Sequence, residues 1–452
     1  MNKQVAVIGG GISGLTAAYR LKKAGVDVVL FEGSAAVGGN IKTENRDGFL
    51  FENGPNSTLA SVELLDLLAD LRITDQIAQP SSNAKKRYIL KDEELVALPS
   101  GALDLLKGNF FSGKATLRLL KEPFVGTKSP DGESVSAFFE RRLGKEIVDY
   151  AVDPFISGIY AGDPQKLSIR SAFARLYEME RDHGSLLKGG LFGKKDKAKK
   201  PLPKGTPRNV TFKRGMQTMT DALYADLKDN IHLNTSVDSI ERDGTGAYTV
   251  RASGANESFD VVVISTPAHA AGGLIEWLDP ELAVELSGIY YPPVSIVFTG
   301  FLRDQVRAEC SGFGFLVPGG EKRRILGSLW TSSVFENRAP DGYHLFTTFI
   351  GGSRNSELCE SSEDELVKIA LDELGTILGI DGGPVFTAVK KWKKAIPQYN
   401  VGYESVPAAV ASFSTNNPGM YLCSNYYKGI SVSDCIKNGT SSAVEIIDYL
   451  NV

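Results

Sequence analysis

Cysteine and histidine are both scarce in this 452-residue sequence, which contains four of each. The cysteines are widely spaced and form no Cys-x-x-Cys pair, a pattern that favours reduced, buried thiols of an intracellular protein over a zinc site. The histidines also lack the spacing of metal ligands, so we predict no metal site. These residues are Cys310, Cys359, Cys423, Cys435, His183, His232, His269 and His344.

Strong net charge and long hydrophobic runs are missing as well. The formal charge of −4 does not favour a nucleic-acid partner. No segment reaches the ~18 uninterrupted apolar residues of a transmembrane helix. Residues 1–4 lead directly into a predicted strand, without room for a signal peptide. We therefore expect a cytoplasmic protein, either soluble or peripheral on the cytoplasmic face of the inner membrane.

The clearest motif is a strand, a glycine-rich turn, a helix and a second strand within the first 32 residues. We expect Gly9 to allow the tight turn, Gly11 to leave room for a pyrophosphate, and Gly14 to let helix and strand pack closely. The pyrophosphate would lie at the helix N-terminus, where unpaired N–H groups favour an anion. Glu32 ends the second strand and is placed to accept hydrogen bonds from a ribose without a 2′-phosphate. An ordinary α/β turn is the alternative, because a glycine motif alone is weakly specific.

A second small-residue turn follows in GSAAVGGN (33–40), where Gly38 and Gly39 let the backbone approach a ligand closely. Together with the first glycines and Glu32, this turn resembles the extended FAD fingerprint of the flavin amine oxidase superfamily. Ordinary NAD sites lack the second glycine pair. The resemblance therefore implies FAD as the cofactor.

The middle of the chain, residues 99–208, has a helical pattern. In 99–125, apolar residues stand beside lysines, which suits either an interfacial helix on lipid or a core-facing helix pair. The segment 133–164 predicts a helix followed by glycine-bearing turns, one of them at Gly158. The basic segment 188–208 predicts a surface loop, with anionic lipid contact as the second interpretation.

Two later parts of the chain return to α/β character. Residues 260–267 form a nearly continuous apolar run, which is typical of a strand buried on both faces of a parallel sheet. Residues 231–243 are predicted as one further strand. The tail, residues 419–450, is predicted as a strand, a turn at Gly429 and a helix. These segments are expected to rejoin the N-terminal dinucleotide unit.

A second sheet is predicted in residues 290–388, where short strands alternate with glycine turns. Its helix has Ser361 or Ser362 as a candidate N-cap. Residues 85–99 predict a β-hairpin, and Arg87 at its mouth is a solvated strand-end charge on the plainest interpretation.

Two later motifs make a more specific resemblance, namely DPFISGIYAGDPQKLSIRSAF (153–173) and FTTFIGGSRN (346–355). With KKRYI, LPS, GKEIVDY and GFGFLVP, they are similar to the oxygen-dependent protoporphyrinogen oxidase family, especially its plant and plant-like bacterial branch. The resemblance runs nearly end to end. It implies oxidation of protoporphyrinogen IX to protoporphyrin IX through FAD, with O₂ as acceptor and H₂O₂ as product. It also implies contact with a membrane surface, and we list a homodimer among the expected partners.

The resemblance also assigns site residues. Arg87 matches an arginine that meets a propionate, and Gly158 matches the backbone position beside the reacting carbon. Leu316, Leu329 and Phe349 match residues that hold the macrocycle. No side-chain nucleophile is expected. The implied FAD contacts are Gly9, Gly11, Ile12, Ser13, Gly14, Glu32, Gly38, Gly39, Asn40, Gly54, Pro55, Asn56, Val237, Trp392, Asn425, Gly429, Ile430 and Ser431.

The predicted fold class is α/β with an additional α-helical part. It comprises an FAD-binding Rossmann-like domain, an antiparallel-sheet substrate domain and an inserted helical, membrane-associated domain. The first is assigned to residues 1–84, 209–285 and 389–452, the second to 85–98 and 286–388, and the third to 99–208.

Alternatives remain open at this point. Related bacterial oxidases act on coproporphyrinogen III, and the wider superfamily includes amine oxidases and carotenoid desaturases. A different class with the same fold comprises escort proteins that bind prenylated GTPases without flavin. One departure from the family pattern lies near the C-terminus, where Ser424 replaces a glycine. The turn there is expected to persist if the φ angle of Ser424 is negative.

Overall fold

A parallel sheet forms the centre of the fold in the computed structural model, which describes residues 3–99, 110–192, 201–203, 205–244 and 246–451. Alternate residues of the first strand face opposite cores, with Val5 and Val7 in one and Ala6 and Ile8 in the other. Helices cover both faces, as a parallel sheet requires. In spatial order its five strands are Ile231–His232, Asp27–Phe31, Gln4–Ile8, Val261–Ile264 and Met420–Leu422.

The strand predicted within 260–267 is confirmed, because all of Val261–Ile264 is buried in the parallel sheet. The single strand predicted at 231–243 was wrong. Ile231–His232 pairs with the parallel sheet, whereas Val237–Arg242 belongs to a separate antiparallel sheet. Asn234 has a φ angle of 53° between them, and this left-handed turn redirects the chain.

A seven-stranded sheet forms the second layer in the described residues. The sheet predicted from 290–388 is confirmed in outline, and the 85–99 hairpin joins its edge. One pair is parallel, since Phe315 aligns with Tyr88, so the sheet is mixed rather than wholly antiparallel. In spatial order the strands are Phe386–Trp392, Val294–Leu302, Tyr343–Gly351, Gly327–Leu329, Gly314–Leu316, Tyr88–Lys91 and Glu94–Ala97.

Two faces of this sheet are covered differently. Helix Glu363–Leu378 packs on one face, and its Ser362 and Glu365 form a capping box, so Ser362 is the N-cap. Phe49 and Phe51 pack on the other face. Strand Phe386–Trp392 continues across the boundary predicted between residues 388 and 389.

The helical part contains a continuous helical stretch over residues 145–160, with π-helical turns at Val148–Val152 and Ile156–Tyr160. Gly158 therefore lies inside a helical turn rather than in the loop-like turn that we expected. Pro154 lies between the π-helical turns and has no N–H to donate, which favours irregular hydrogen bonding there. The other helices are Gly113–Leu120, Val135–Leu143, Ile169–Ala172, Ala174–His183 and Leu186–Phe192.

Part of the predicted 188–208 loop is helical, because helix Leu186–Phe192 extends into it. Residues 193–200 and 204 of that prediction, and residues 100–109 of the predicted interfacial segment, lie outside the described residues. Among the helices that are described, none combines the length and apolar character needed to cross a membrane.

Smaller elements complete the fold. The other strands are Thr43–Arg46, Phe49–Glu52, Thr58–Leu59, Ile77–Ala78, Asn209–Phe212, Val237–Arg242, Tyr248–Ala252 and Ala255–Phe259. The other α-helices are Ile12–Lys23, Val62–Asp70, Gln217–Leu227, Ala268–Ile275, Pro280–Ser287, Thr331–Val334, Val406–Asn416 and Val432–Leu450.

Candidate functional site

The three glycines of the first turn differ in what surrounds them. Gly9 has a φ angle of 107°, which an L side chain rarely adopts. A Cβ atom on Gly14 would lie 2.1 Å from the carbonyl oxygen of Gly9, so this position packs directly on the turn. A Cβ on Gly11 would meet no atom of the described residues within 4 Å. The geometry therefore gives Gly11 the open space that a bound phosphate would need.

Helix Ile12–Lys23 begins at this open space. Gly11 is its N-cap and provides no side chain to bind the first N–H groups, and the first turn contains no acid. The last turn carries Arg20, Lys22 and Lys23, which complement the opposite end of the helix dipole. The N-terminal end is therefore suited to an external anion.

Glu32 is half-buried and joins the end of the second strand to the glycine turn. Its Oε2 accepts a hydrogen bond of 2.6 Å from the N–H of Gly10, and its Oε1 accepts one of 2.8 Å from the N–H of Ser34. The Ser34 hydroxyl also donates to Oε1. A carboxylate has about four acceptor positions, so capacity remains for a ribose hydroxyl.

The second glycine turn lies against the first. The N–H of Gly38 donates to the carbonyl of Gly10 at 2.8 Å, and Gly38 forms an isolated bridge with Gly11. A Cβ on Gly39 would lie 3.3 Å from the Cα of Gly11. Side chains are thus absent where the two turns approach each other.

Gly54, Pro55 and Asn56 continue this surface. A Cβ on Gly54 would overlap the carbonyl oxygen of Asn40, so only glycine fits there. The Oδ1 atom of Asn56 is buried and has no hydrogen-bond partner in the described structure. Such an atom is costly unless a ligand or water satisfies it.

Two hydroxyl groups that the sequence analysis missed are also buried without a hydrogen-bond partner in the described structure. Ser265 and Thr266 follow strand Val261–Ile264, and the described residues provide no partner for either hydroxyl oxygen. The Ser265 side chain would lie 3.1 Å from a Cβ on Gly14. Ligands commonly bind at the carboxyl ends of parallel strands. The position of both residues after such a strand was therefore a signal in the sequence, and we did not use it.

The C-terminal turn approaches the same helix. Gly439 of helix Val432–Leu450 packs against Ser13, since a Cβ there would lie 2.5 Å from the Ser13 carbonyl oxygen. The turn before this helix has positive φ angles at Lys428 and Gly429. Ser424 is not among the positive-φ residues of the described chain, so the condition set for its turn is met. Ser431 caps the helix through a capping box with Asp434.

The remaining predicted cofactor residues lie in different surroundings. The Nε1 of Trp392 donates to the carbonyl of Asn53 at 2.5 Å, next to the Gly54 turn. The Tyr399 hydroxyl donates to the carbonyl of Asn425 at 3.0 Å. Val237 packs with Phe31 in the core on one face of the parallel sheet.

The predicted substrate residues are brought together by the seven-stranded sheet. Leu329 and Phe349 lie in one apolar cluster, and Phe313, which we did not predict, packs against it. We call Phe313, Leu329 and Phe349 the apolar wall. Phe349 also packs in the cluster that contains Trp392. The apolar wall therefore extends toward one of the predicted flavin contacts.

Arg87 stands at the edge of the apolar wall. Its guanidinium lies 5.1 Å from the centre of the Phe313 ring, and no carboxylate of the described residues forms an ion pair with it. Arg87 is exposed to solvent, as the plainest interpretation of the sequence predicted. Partial desolvation by its neighbours and the nearby positive charge of Arg208 lower its pKa. Arg208 was also missed by the sequence analysis. The two arginines make this edge attractive to carboxylates.

Leu316 and Gly158 are in direct contact from opposite elements. A Cβ on Gly158 would lie 2.3 Å from Leu316 Cδ2. Two residues further along the helical stretch, burial raises the pKa of Tyr160, and the nearby carboxylate of Asp434 adds to this effect. The Gly158 turn thus lies between the seven-stranded sheet and the C-terminal turn.

Comparison with known proteins identifies the family. Residues 12–447 match the family described as flavin containing amine oxidoreductase. The chain belongs to this family. It is 35% identical to the mitochondrial protoporphyrinogen oxidase of Nicotiana tabacum, over 99% of this chain and 95% of that protein. It is 28% identical to the coproporphyrinogen III oxidase of Bacillus subtilis, over 99% of this chain and 98% of that protein.

A solved structure from Exiguobacterium sp. 255-15, described as a candidate protoporphyrinogen oxidase, has a TM-score of 0.82 at 23% identity and covers all of both chains. Putrescine oxidase superimposes with a TM-score of 0.71 at 17% identity, over 99% of each chain. These likenesses support the flavin amine oxidase-type fold.

Membership in this family makes the protein an FAD-dependent oxidoreductase. The residues present fit the cofactor, since the open space at Gly11 has room for a phosphate, the uncapped helix end favours an anion and the buried Asn56 oxygen is free to accept a hydrogen bond from it. When bound, FAD accepts the electrons, which amino-acid side chains cannot do in its place. The individual cofactor contacts remain predictions.

Proposed function

We propose that the protein oxidises protoporphyrinogen IX to protoporphyrin IX through FAD, with O₂ as the final acceptor and H₂O₂ as product. The observation that carries this proposal is the unpaired Arg87 at the edge of the apolar wall. A porphyrinogen is a large apolar ring with carboxylates on its edge, so it needs apolar contacts on its body and a cation at its rim. Relatives named protoporphyrinogen oxidase at 31–35% identity support the assignment.

The side chains of the site bind and orient the substrate in this proposal. Arg87 holds a propionate, and the apolar wall contacts the ring. We assign no proton transfer to a side chain in this proposal. Hydrogen removal depends on the substrate's position relative to the cofactor.

Oxidation of coproporphyrinogen III is the second candidate, and Arg208 is the observation that favours it. Coproporphyrinogen III carries more carboxylates than protoporphyrinogen IX, and a second positive charge beside Arg87 provides what they need. Relatives in Bacillus subtilis and Staphylococcus aureus are named coproporphyrinogen III oxidases, at 28% and 30% identity.

A direct comparison of both porphyrinogens under air tests the assignment. We expect higher kcat/KM for protoporphyrinogen IX and one H₂O₂ for each O₂ consumed. Arg87→Ala should raise KM at least tenfold, because a charge-assisted hydrogen bond is worth about 1.5–3 kcal/mol, while Arg307→Ala, which alters an exposed ion pair, should not. Faster turnover of coproporphyrinogen III would refute protoporphyrinogen IX as the preferred substrate and support the second candidate.

We further propose that the helical part lies on the cytoplasmic face of the inner membrane. Its surface exposes large apolar side chains on helix Gly113–Leu120, on the 3₁₀ turn Glu122–Phe124 that follows it and on helix Leu186–Phe192, with lysines beside them. Such a combination favours an interfacial position. The exposed apolar residues are Leu117, Leu120, Phe124, Leu187 and Leu191, and Phe124 is 85% exposed.

Vesicle flotation tests the membrane proposal. The triple variant Leu117→Ser, Leu120→Ser and Phe124→Ser should lose binding to anionic vesicles. The control variant Val284→Ser and Val444→Ser replaces apolar residues that are similarly exposed elsewhere and should still float. Equal flotation of both variants would exclude this surface as the lipid contact.

A further inference from the structure

One arginine joins the two segments whose motifs carry the family resemblance. Arg354, at the end of FTTFIGGSRN, donates from Nη2 to both carboxylate oxygens of Asp153, at 3.0 and 2.9 Å, and to the Ser157 hydroxyl at 2.9 Å. Its Nη1 donates to the carbonyl of Val317 at 2.7 Å. Arg354 therefore contacts the helical stretch and the seven-stranded sheet at the same time.

The same two segments also meet through their backbones. The N–H of Ser353 donates to the carbonyl of Ala161 at 2.8 Å. A Cβ on Gly352, whose φ angle is 66°, would lie 3.0 Å from that carbonyl oxygen. Gly352 thus permits an approach that a side chain would obstruct, and Arg354 is brought within reach of Asp153.

A third segment, the short 3₁₀ turn Gly319–Glu321, binds the same carboxylate. The N–H of Gly319 donates to Asp153 Oδ2 at 2.7 Å. Asp153 is therefore bound by both Arg354 and the segment that follows Leu316. We call Asp153 and Arg354 the clamp.

The clamp encloses the contact between Gly158 and Leu316. Ser157 precedes Gly158 directly, and Val317 follows Leu316, so Arg354 bonds to the neighbour of each contact residue. Gly158 lies in the second π-helical turn, Ile156–Tyr160. π-helical turns are rare and occur often at functional sites. In this one the Ser157 hydroxyl accepts a hydrogen bond from Arg354, which lies outside the helix.

We propose that Arg354 and Asp153 are positioning residues, which set the separation between Gly158 and Leu316 and so the orientation of the porphyrinogen ring toward the cofactor. This inference rests on the proposed function. The clamp is only partly buried, with side-chain exposures of 19% for Arg354 and 21% for Asp153. Because the bonds of the clamp join the segments that hold Gly158 and Leu316, its main effect is expected on substrate geometry.

The test uses the flavin-loaded enzyme and three variants, Arg354→Met, Arg354→Lys and Asp153→Asn. Arg307→Met is the control, because it removes an arginine from an exposed ion pair elsewhere. Flavin reduction by porphyrinogen is measured without O₂, and reoxidation by O₂ is measured separately after chemical reduction. A displacement of about 1 Å can cost a hundredfold in rate, so reduction should slow ten- to hundredfold in Arg354→Met and Asp153→Asn. Reoxidation and flavin content should stay within twofold of the wild type.

Two further measurements separate positioning from general stability. Combining Arg354→Met with Asp153→Asn should slow reduction no further than either change alone, because both remove one clamp. Arg354→Lys keeps the positive charge but loses the planar guanidinium that bonds to Asp153 and to the Val317 carbonyl at the same time. Its rate of flavin reduction should therefore be intermediate. Hydrogen exchange of residues 153–163 should be faster in all three variants and unchanged in the control.

Several outcomes would overturn the inference. Reduction within twofold of the wild type would do so, as would a parallel loss of flavin or of reoxidation, which indicates general damage. Unchanged hydrogen exchange at residues 153–163 would show that the clamp does not hold this segment. If wild-type enzyme is reduced by neither porphyrinogen, the proposed function fails, while hydrogen exchange still tests the clamp.

Discussion

Replacing Gly11 by alanine should separate cofactor binding from folding. The position has φ −70° and ψ 173°, which alanine adopts readily, and its Cβ would enter open space. Alanine is the poorer N-cap by up to about 1 kcal/mol. It also reduces the conformational entropy of the unfolded chain, which stabilises the folded state by a similar amount. We therefore expect the apoprotein's free energy of unfolding to change by less than about 1 kcal/mol.

FAD affinity should fall at least tenfold in the same variant, or about 1.4 kcal/mol, because the new methyl group occupies the space left for the pyrophosphate. Gly14→Ala is the matched variant, since its Cβ would lie 2.1 Å from a backbone oxygen and should destabilise the apoprotein by about 1–3 kcal/mol. Stabilities are compared without FAD, because bound ligand itself raises Tm. Wild-type FAD affinity in Gly11→Ala would refute this account of the turn.

Three more perturbations test other parts of the molecule. Arg142 is buried between Glu122 and Glu180, so Arg142→Met should cost about 3–5 kcal/mol in urea unfolding, whereas the exposed Arg181→Met should cost almost nothing. Burial raises the pKa of Glu52 to about 7, so the wild type should lose stability as pH rises from about 4.5 to 7; Glu52→Gln should flatten this Tm profile, and an unchanged slope would contradict the assignment. Gly158→Ala should reduce activity, because the new methyl group would displace Leu316. Adding Leu316→Ala should restore part of the activity, and no recovery in the double variant would show that this contact does not limit the reaction.

Local features were predictable where a short segment contains its own physical cause. The capped helix Glu363–Leu378 and the buried strand Val261–Ile264 followed from capping residues and an apolar run. The split of residues 231–243 was missed, because the left-handed turn at Asn234 depends on pairing with two different sheets. The helical position of Gly158 was missed because glycine suggests a turn, whereas the residues around it form a π-helical turn.

The candidate site was predictable on its cofactor side and less so elsewhere. Glycine spacing and Glu32 indicated a dinucleotide, since the pyrophosphate and the ribose demand them within one βαβ unit. The second glycine pair, Gly38 and Gly39, and the family resemblance then indicated FAD. The hydroxyls of Ser265 and Thr266 and the charge of Arg208 were missed, because they become relevant only through distant neighbours. Phe313 was overlooked for the same reason, as its role depends on packing against Leu329 and standing below Arg87.

The sequence by itself determined the dinucleotide fingerprint and the family, because glycine turns and motif residues act within a few positions of each other. Only the tertiary structure decided that the motifs at 153–173 and 346–355 form one unit. Asp153 and Arg354 are about two hundred positions apart in the chain, yet they share hydrogen bonds of 2.9 and 3.0 Å. Such a contact depends on how the helical stretch is laid across the sheet, and no local pattern of residues specifies that.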